Sequence, residues 1–149
     1  MFSLHKDSLS RAEAENLLAH GCLAERKKAA TELGNLCSIH SYEPLLLAVQ
    51  RKDNDRGVQL AILHALHSIG EKFGYTERFS GGLIVLEQFI KSNLKDLGLV
   101  NAACQAIQWA GTIDDISDVG DRIRDAAGNR YPQAAAATSR LYLSFVSAD

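Results

Sequence analysis

His64 and His67 stand at i and i+3, a spacing that lets two imidazoles on one helix share a metal ion. Such a centre needs further ligands, and with a helix ending at Ile69 no carboxylate stands at matching spacing beside them. No HExxH pair, GxSxG nucleophile elbow or Gly-rich phosphate loop occurs. The three cysteines, Cys22, Cys37 and Cys104, contain no CxxC pair and form no even disulfide set, which is the usage of a reducing compartment. Cys37 and Cys104 fall near apolar stripes and read as small buried residues, whereas Cys22, beside Gly21, reads as a free thiol in a turn. Surface chemistry offers a second kind of site. The segment from Glu71 to Gly82 carries Phe73, Tyr75 and Phe79 with Lys72 and Arg78, and aromatic and arginine side chains are the usual anchors of protein interfaces. The same aromatics could instead pack down over the ends of neighbouring helices.

Charge narrows the choice of partner. The 149 residues hold 16 Lys+Arg against 18 Asp+Glu, a net charge of -2. Arg26-Lys27-Lys28 and Arg51-Lys52 are short and offset by nearby acids, so they make no stripe for phosphates. Asp114, Asp115, Asp118, Asp121 and Asp125 form an acidic helix face instead. Apolar residues make up 46% of the chain, the balance of a globular protein, and no apolar run reaches the ~18 residues of a membrane span. Met1 to Leu18 carries charges throughout and lacks the apolar core of a signal peptide, which points to the cytoplasm.

These residues must be positioned by helices, because sustained strand alternation and Asn-Gly or Asp-Gly turns are missing. Val58, Ala61, Ile62, Ala65, Leu66 and Ile69 recur at i, i+3, i+4 and i+7, one apolar stripe over three turns, and Gly70 then stands where a left-handed cap would end the helix. Ala102, Ala103, Ala106, Ile107, Ala110 and Gly111 repeat the pattern; Ala29, Ala30, Leu33, Leu36 and Cys37 form a looser copy. Ser10 with Glu13 makes a capping box, and Ser41, Asp55, Asp96 and Thr112 are the other start signals. Helices are expected over 11–20, 23–37, 42–52, 56–69, 80–93, 97–110, 113–127 and 131–146. They form four helical hairpins in a single domain, 1–149.

The large apolar residues Leu33, Leu66, Ile107 and Leu141 occupy equivalent places, at intervals of 33, 41 and 34 residues. The excess in the second interval falls in Gly70–Gly82. One helix pair per repeat is the arrangement of a solenoid, since a lone hairpin cannot bury its apolar faces. The stretch from Pro44 to Gly70 resembles a HEAT repeat, with a Leu-rich first helix, an Asp-containing turn, Val58 opening the second helix and an Ala-Leu-x-x-Ile-Gly ending. Arg26–Cys37 resembles the same ending and Asp96–Gly111 a third copy.

The resemblance implies an all-α, right-handed α-α superhelix whose second helices line a concave, partner-holding face. Carried across the repeats, that face presents Lys27, Thr31 and Gly34, then Leu60, His64 and His67, then Asn101, Gln105 and Gln108, and finally Ala135, Ser139 and Tyr142. This ladder is polar but mostly uncharged, and an ordinary solvated face is the alternative account of it. The implied function is a non-catalytic scaffold, adaptor or inhibitor that binds another protein, a toxin-neutralising immunity protein being one form. Phe73, Tyr75 and Arg78 would add contacts, and neither nucleic acid, membrane, metal nor cofactor is implied. The competing class is an enzyme of the HEAT-like kind, metal-dependent through His64 and His67 or a chromophore lyase. The chain lacks the His-Glu steps of the HEAT-like hydroxylases.

Overall fold

The computed structural model describes residues 9–147, with side chains as far as Arg140. Among these residues the chain is helical and contains no strand. The described residues form eight α-helices: α1 Arg11–His20, α2 Leu23–Leu36, α3 Tyr42–Val49, α4 Arg56–Phe73, α5 Ser80–Ser92, α6 Leu97–Ile107, α7 Ile113–Ala127 and α8 Pro132–Ser147. Short 3₁₀ turns, Ile39–Ser41 and Glu77–Phe79, precede α3 and α5.

Local chemistry sets most starts. At α1 the Ser10 hydroxyl accepts from Glu13 N at 3.2 Å while Glu13 Oε1 accepts from Ser10 N at 3.1 Å. Asp55 Oδ1 accepts from Val58 N at 2.8 Å, Asp96 Oδ1 from Leu99 N at 3.2 Å, and Thr112 with Asp115 closes another capping box. Each satisfies backbone donors that the first helical turn leaves without a partner. Ser41 behaves differently from the expectation. It is buried at the end of a 3₁₀ turn, and its hydroxyl donates to Glu15 Oε2 at 3.0 Å across to α1 instead of capping α3.

The helix ends bring the larger corrections. Gly70 does not stop α4; it is buried inside the helix, which continues one turn to Phe73, and the left-handed glycine is Gly74 (φ 69°). The eight-residue excess between repeats therefore becomes an extra helical turn and the 3₁₀ turn Glu77–Phe79, not a long loop. Likewise α6 ends at Ile107, before Gly111. Cys37, expected as a buried stripe residue, is half-buried and caps α2 in the left-handed region (φ 49°), its thiol donating to Gly34 O at 2.8 Å.

The chain divides into two compact units, Met1–Lys72 and Phe73–Asp149. In the first, α1 packs on α2 and on α3, and α2 meets α4 at Gly34, where an added Cβ would stand 3.1 Å from Ala65 Cα. Its core is built by Leu18, Leu33, Leu45, Ile62, Leu66 and Ile69, each at most 1% exposed. Ala61 leaves the expected stripe for a half-exposed position and Leu63 joins the core. Leu36 is 45% exposed, so the looser stripe on α2 stops at Leu33. In the second unit α5 packs on α6 and α7, and α8 packs on α6 and α7. The stripe Ala102, Ala103, Ala106, Ile107 and Ala110 is buried there in full.

Two ionic clasps fasten these layers. In the first unit Arg26, only 8% exposed, donates through Nε to Gly21 O at 2.9 Å and through its guanidinium to Asp53 Oδ2 at 2.9 Å. Arg51 donates to the same carboxylate at 3.1–3.2 Å and to Ala19 O. The Arg26 guanidinium, joined by Arg51, holds the Asp53 carboxyl below the usual range. In the second unit Arg122 on α7 grips Glu87 on α5 through two bonds of 2.8 and 2.9 Å, and Lys91 adds an ion pair at 2.8 Å.

Candidate functional site

The first unit contains a concavity of about 360 Å³ between α2 and α4. Small residues make its floor: Ala30 and Gly34 on α2, Gly57, Ala61 and Ala65 on α4. The close approach at Gly34 lets the two helices meet there, and the polar side chains spread above the contact. Lys27, Thr31 and Asn35 line one wall; Leu60, His64 and Ser68 line the other. Lys27, Thr31, Gly34, Leu60 and His64 are thus brought together as the repeat register expects. Asn35 and Ser68 were not anticipated. Each lies one helical turn beyond a ladder residue, Thr31 and His64, so the i+4 spacing carried the signal.

His67 does not join them. It is half-buried, and its Nε2 lies 3.7 Å from Glu71 Oε2. Because α4 runs on to Phe73, a carboxylate does stand at i+4 from His67, contrary to the sequence expectation. Even so, no group of three His, Cys, Asp or Glu side chains able to hold a metal ion occurs among the described residues. His64 lines the concavity, whereas His67 is not among its lining residues.

The remaining ladder residues belong to the second unit. Gln105 is exposed on α6, Asn101 is half-buried, and Gln108 is a half-buried C-cap. Tyr142 lies outside the residues whose side chains are described. Phe73 closes α4 and is 40% exposed, Tyr75 is 42% exposed, and Arg78 is exposed on the 3₁₀ turn, whereas Phe79 is fully buried. Phe79 is therefore the one aromatic of this segment packed down into its unit. Trp109 is half-buried after α6.

The nucleophile inventory is quiet. Cys104 is buried, and desolvation pushes its thiol up to about 11, against the partial opposition of a Thr138 hydrogen bond. Burial also raises Tyr42 above the ordinary phenol range. Cys22 is exposed. The aspartates of α7 are exposed as expected, with Asp121 paired to Arg124. No helix among the described residues is long and apolar enough to cross a membrane. Comparison of the chain with protein-family models, with curated proteins and with solved structures finds no match.

Proposed function

We propose that this protein is a HEAT-like α-α superhelix of four helical hairpins and serves as a non-catalytic scaffold, an adaptor or inhibitor that holds another protein. The packing of each unit supports the architecture. The pairs α1–α2, α5–α6 and α7–α8 pack as hairpins, and helices also meet the helix after next, α1 on α3, α5 on α7 and α6 on α8, which is how stacked hairpins bury their faces. The observation that carries the function is the α2–α4 concavity. It gathers five residues that the HEAT resemblance, carried across the repeats, assigns to the inner face.

A photo-crosslinking amino acid placed at Thr31, Asn35 or Gln105 tests this in the native host. Adducts to a defined protein are expected from those positions and not from Leu47, which is 70% exposed on α3 outside the concavity. Equal adducts from Leu47, or adducts only to nucleic acid, would sink the reading.

A further inference from the structure

We infer that the α2–α4 concavity receives a short, extended, acidic segment of the partner protein, an inference that rests on the binding role proposed above. Charge comes first. Three arginines of the first unit are taken up by acids: Arg11 pairs with Glu15, while Arg26 and Arg51 both close on Asp53. Lys27, like Lys28 and Lys52, takes part in no ion pair among the described residues, and of these three lysines Lys27 alone lines the concavity. Its Nζ instead reaches over α4, 3.6 Å from where a Cβ on Gly57 would stand. The nearby carboxylate, Asp55, has Oδ1 engaged by Val58 N at 2.8 Å as the cap of α4. The lining itself contains Lys27 and His64 and no Asp or Glu. Thr31, Asn35 and Ser68 supply neutral donors and acceptors along the same walls.

Shape then selects among anionic partners. From Lys27 to Asn35 the α2 wall runs about 12 Å at the helical rise. Four residues of extended chain cover about 13 Å, so a short peptide can lie along the walls with alternate side chains directed inward. The floor of Ala and Gly leaves apolar room for the residue between two acids. A nucleic-acid strand fits less well, because neutralising successive phosphates needs a run of cations and Lys27 is the one lysine or arginine in the lining. Complementary rim charges set encounter and register more than total affinity, so a modest affinity with strong charge selectivity is expected.

Titration of the isotope-labelled full chain with a blocked hexapeptide alternating glutamate and leucine tests this by NMR. Amides of Lys27–Asn35 and Gly57–Ser68 should shift, the glutamine version of the peptide should bind much more weakly, and Lys27→Glu should weaken the acidic peptide about tenfold. Equal binding of the glutamine peptide in the groove would overturn the acidic preference while leaving the protein-binding role standing. Unchanged affinity in Lys27→Glu, shifts confined to other helices, or tighter binding of oligothymidylate in the same groove would overturn the inference as well. Lys27 is exposed, and a matching amide spectrum of Lys27→Glu verifies that the variant is folded.

Discussion

Glu87 is 6% exposed and receives Arg122 at both carboxylate oxygens and Lys91 at one of them. The Arg122 hydrogen bonds, followed by Lys91 and outweighing desolvation, hold its carboxyl at about 2, against 4.5 for an ordinary glutamate. A carboxyl depressed in the folded state contributes stability above its unfolded pKa, and loses it as pH falls through the folded value. Glu87→Gln should therefore cost about 2 kcal/mol at neutral pH, the scale of hydrogen bonds to a charged group. The gap between wild type and variant should close as pH drops from 4.5 towards 2. Urea unfolding at a series of pH values checks this, and a gap that stays constant would refute the clasp. Lys91 at i+4 is a local partner, but nothing in the local sequence announces Arg122, because it lies 35 residues from Glu87. Lys27 and His64 were legible for the opposite reason: each occupies a fixed offset from its own apolar stripe.

At the scale of helices, α2 and α4 owe their approach to two glycines with opposite tolerance. A Cβ on Gly34 would press on Ala65 at 3.1 Å from Cα and 3.2 Å from Cβ, atoms of a packed helix that have little freedom to move. A Cβ on Gly57 would meet Asp55 and Lys27 at 3.5–3.8 Å, ordinary contact with side-chain atoms. Gly34→Leu should destabilise by about 2 kcal/mol through overpacking. Gly57→Ala should stabilise by about 0.5–1 kcal/mol by removing the helical penalty of glycine. Thermal and urea midpoints of the two variants decide it, and shifts of the same sign would contradict the geometry. Helix starts followed from sequence because a cap bonds residues two or three positions away. Two helix ends did not, although those of α1 and α7 did: Gly70 and Gly111 carry the composition of a stop, yet both are buried by packing and neither adopts the left-handed region.

For the molecule as a whole, one form of the competing enzyme reading needs a metal shared by His64 and His67, and the other a bound chromophore; His64 lines the concavity, whereas His67 Nε2 lies 3.7 Å from Glu71 Oε2. Dialysis against a chelator should leave the unfolding midpoint unchanged, and His64→Ala with His67→Ala should retain the helical spectrum. A fall in the midpoint on chelation, restored by zinc or iron, would favour the metal-dependent reading over the scaffold. The eight helices of the described residues, their periodicity, most of each inward stripe and the near balance of charge were determined by the sequence itself. They arise from interactions within one or two helical turns and from composition, which need no knowledge of the fold. Tertiary structure alone decided that Arg26 is buried against Asp53, that Arg122 closes on Glu87, and that Asn35 and Ser68 join Lys27 and His64 around one concavity. Those partners lie 27 residues or more apart in the two ionic clasps and face each other across different helices in the groove. Helix-to-helix distance, set here by residues as small as Gly34 and Ala65, determines whether such side chains can meet.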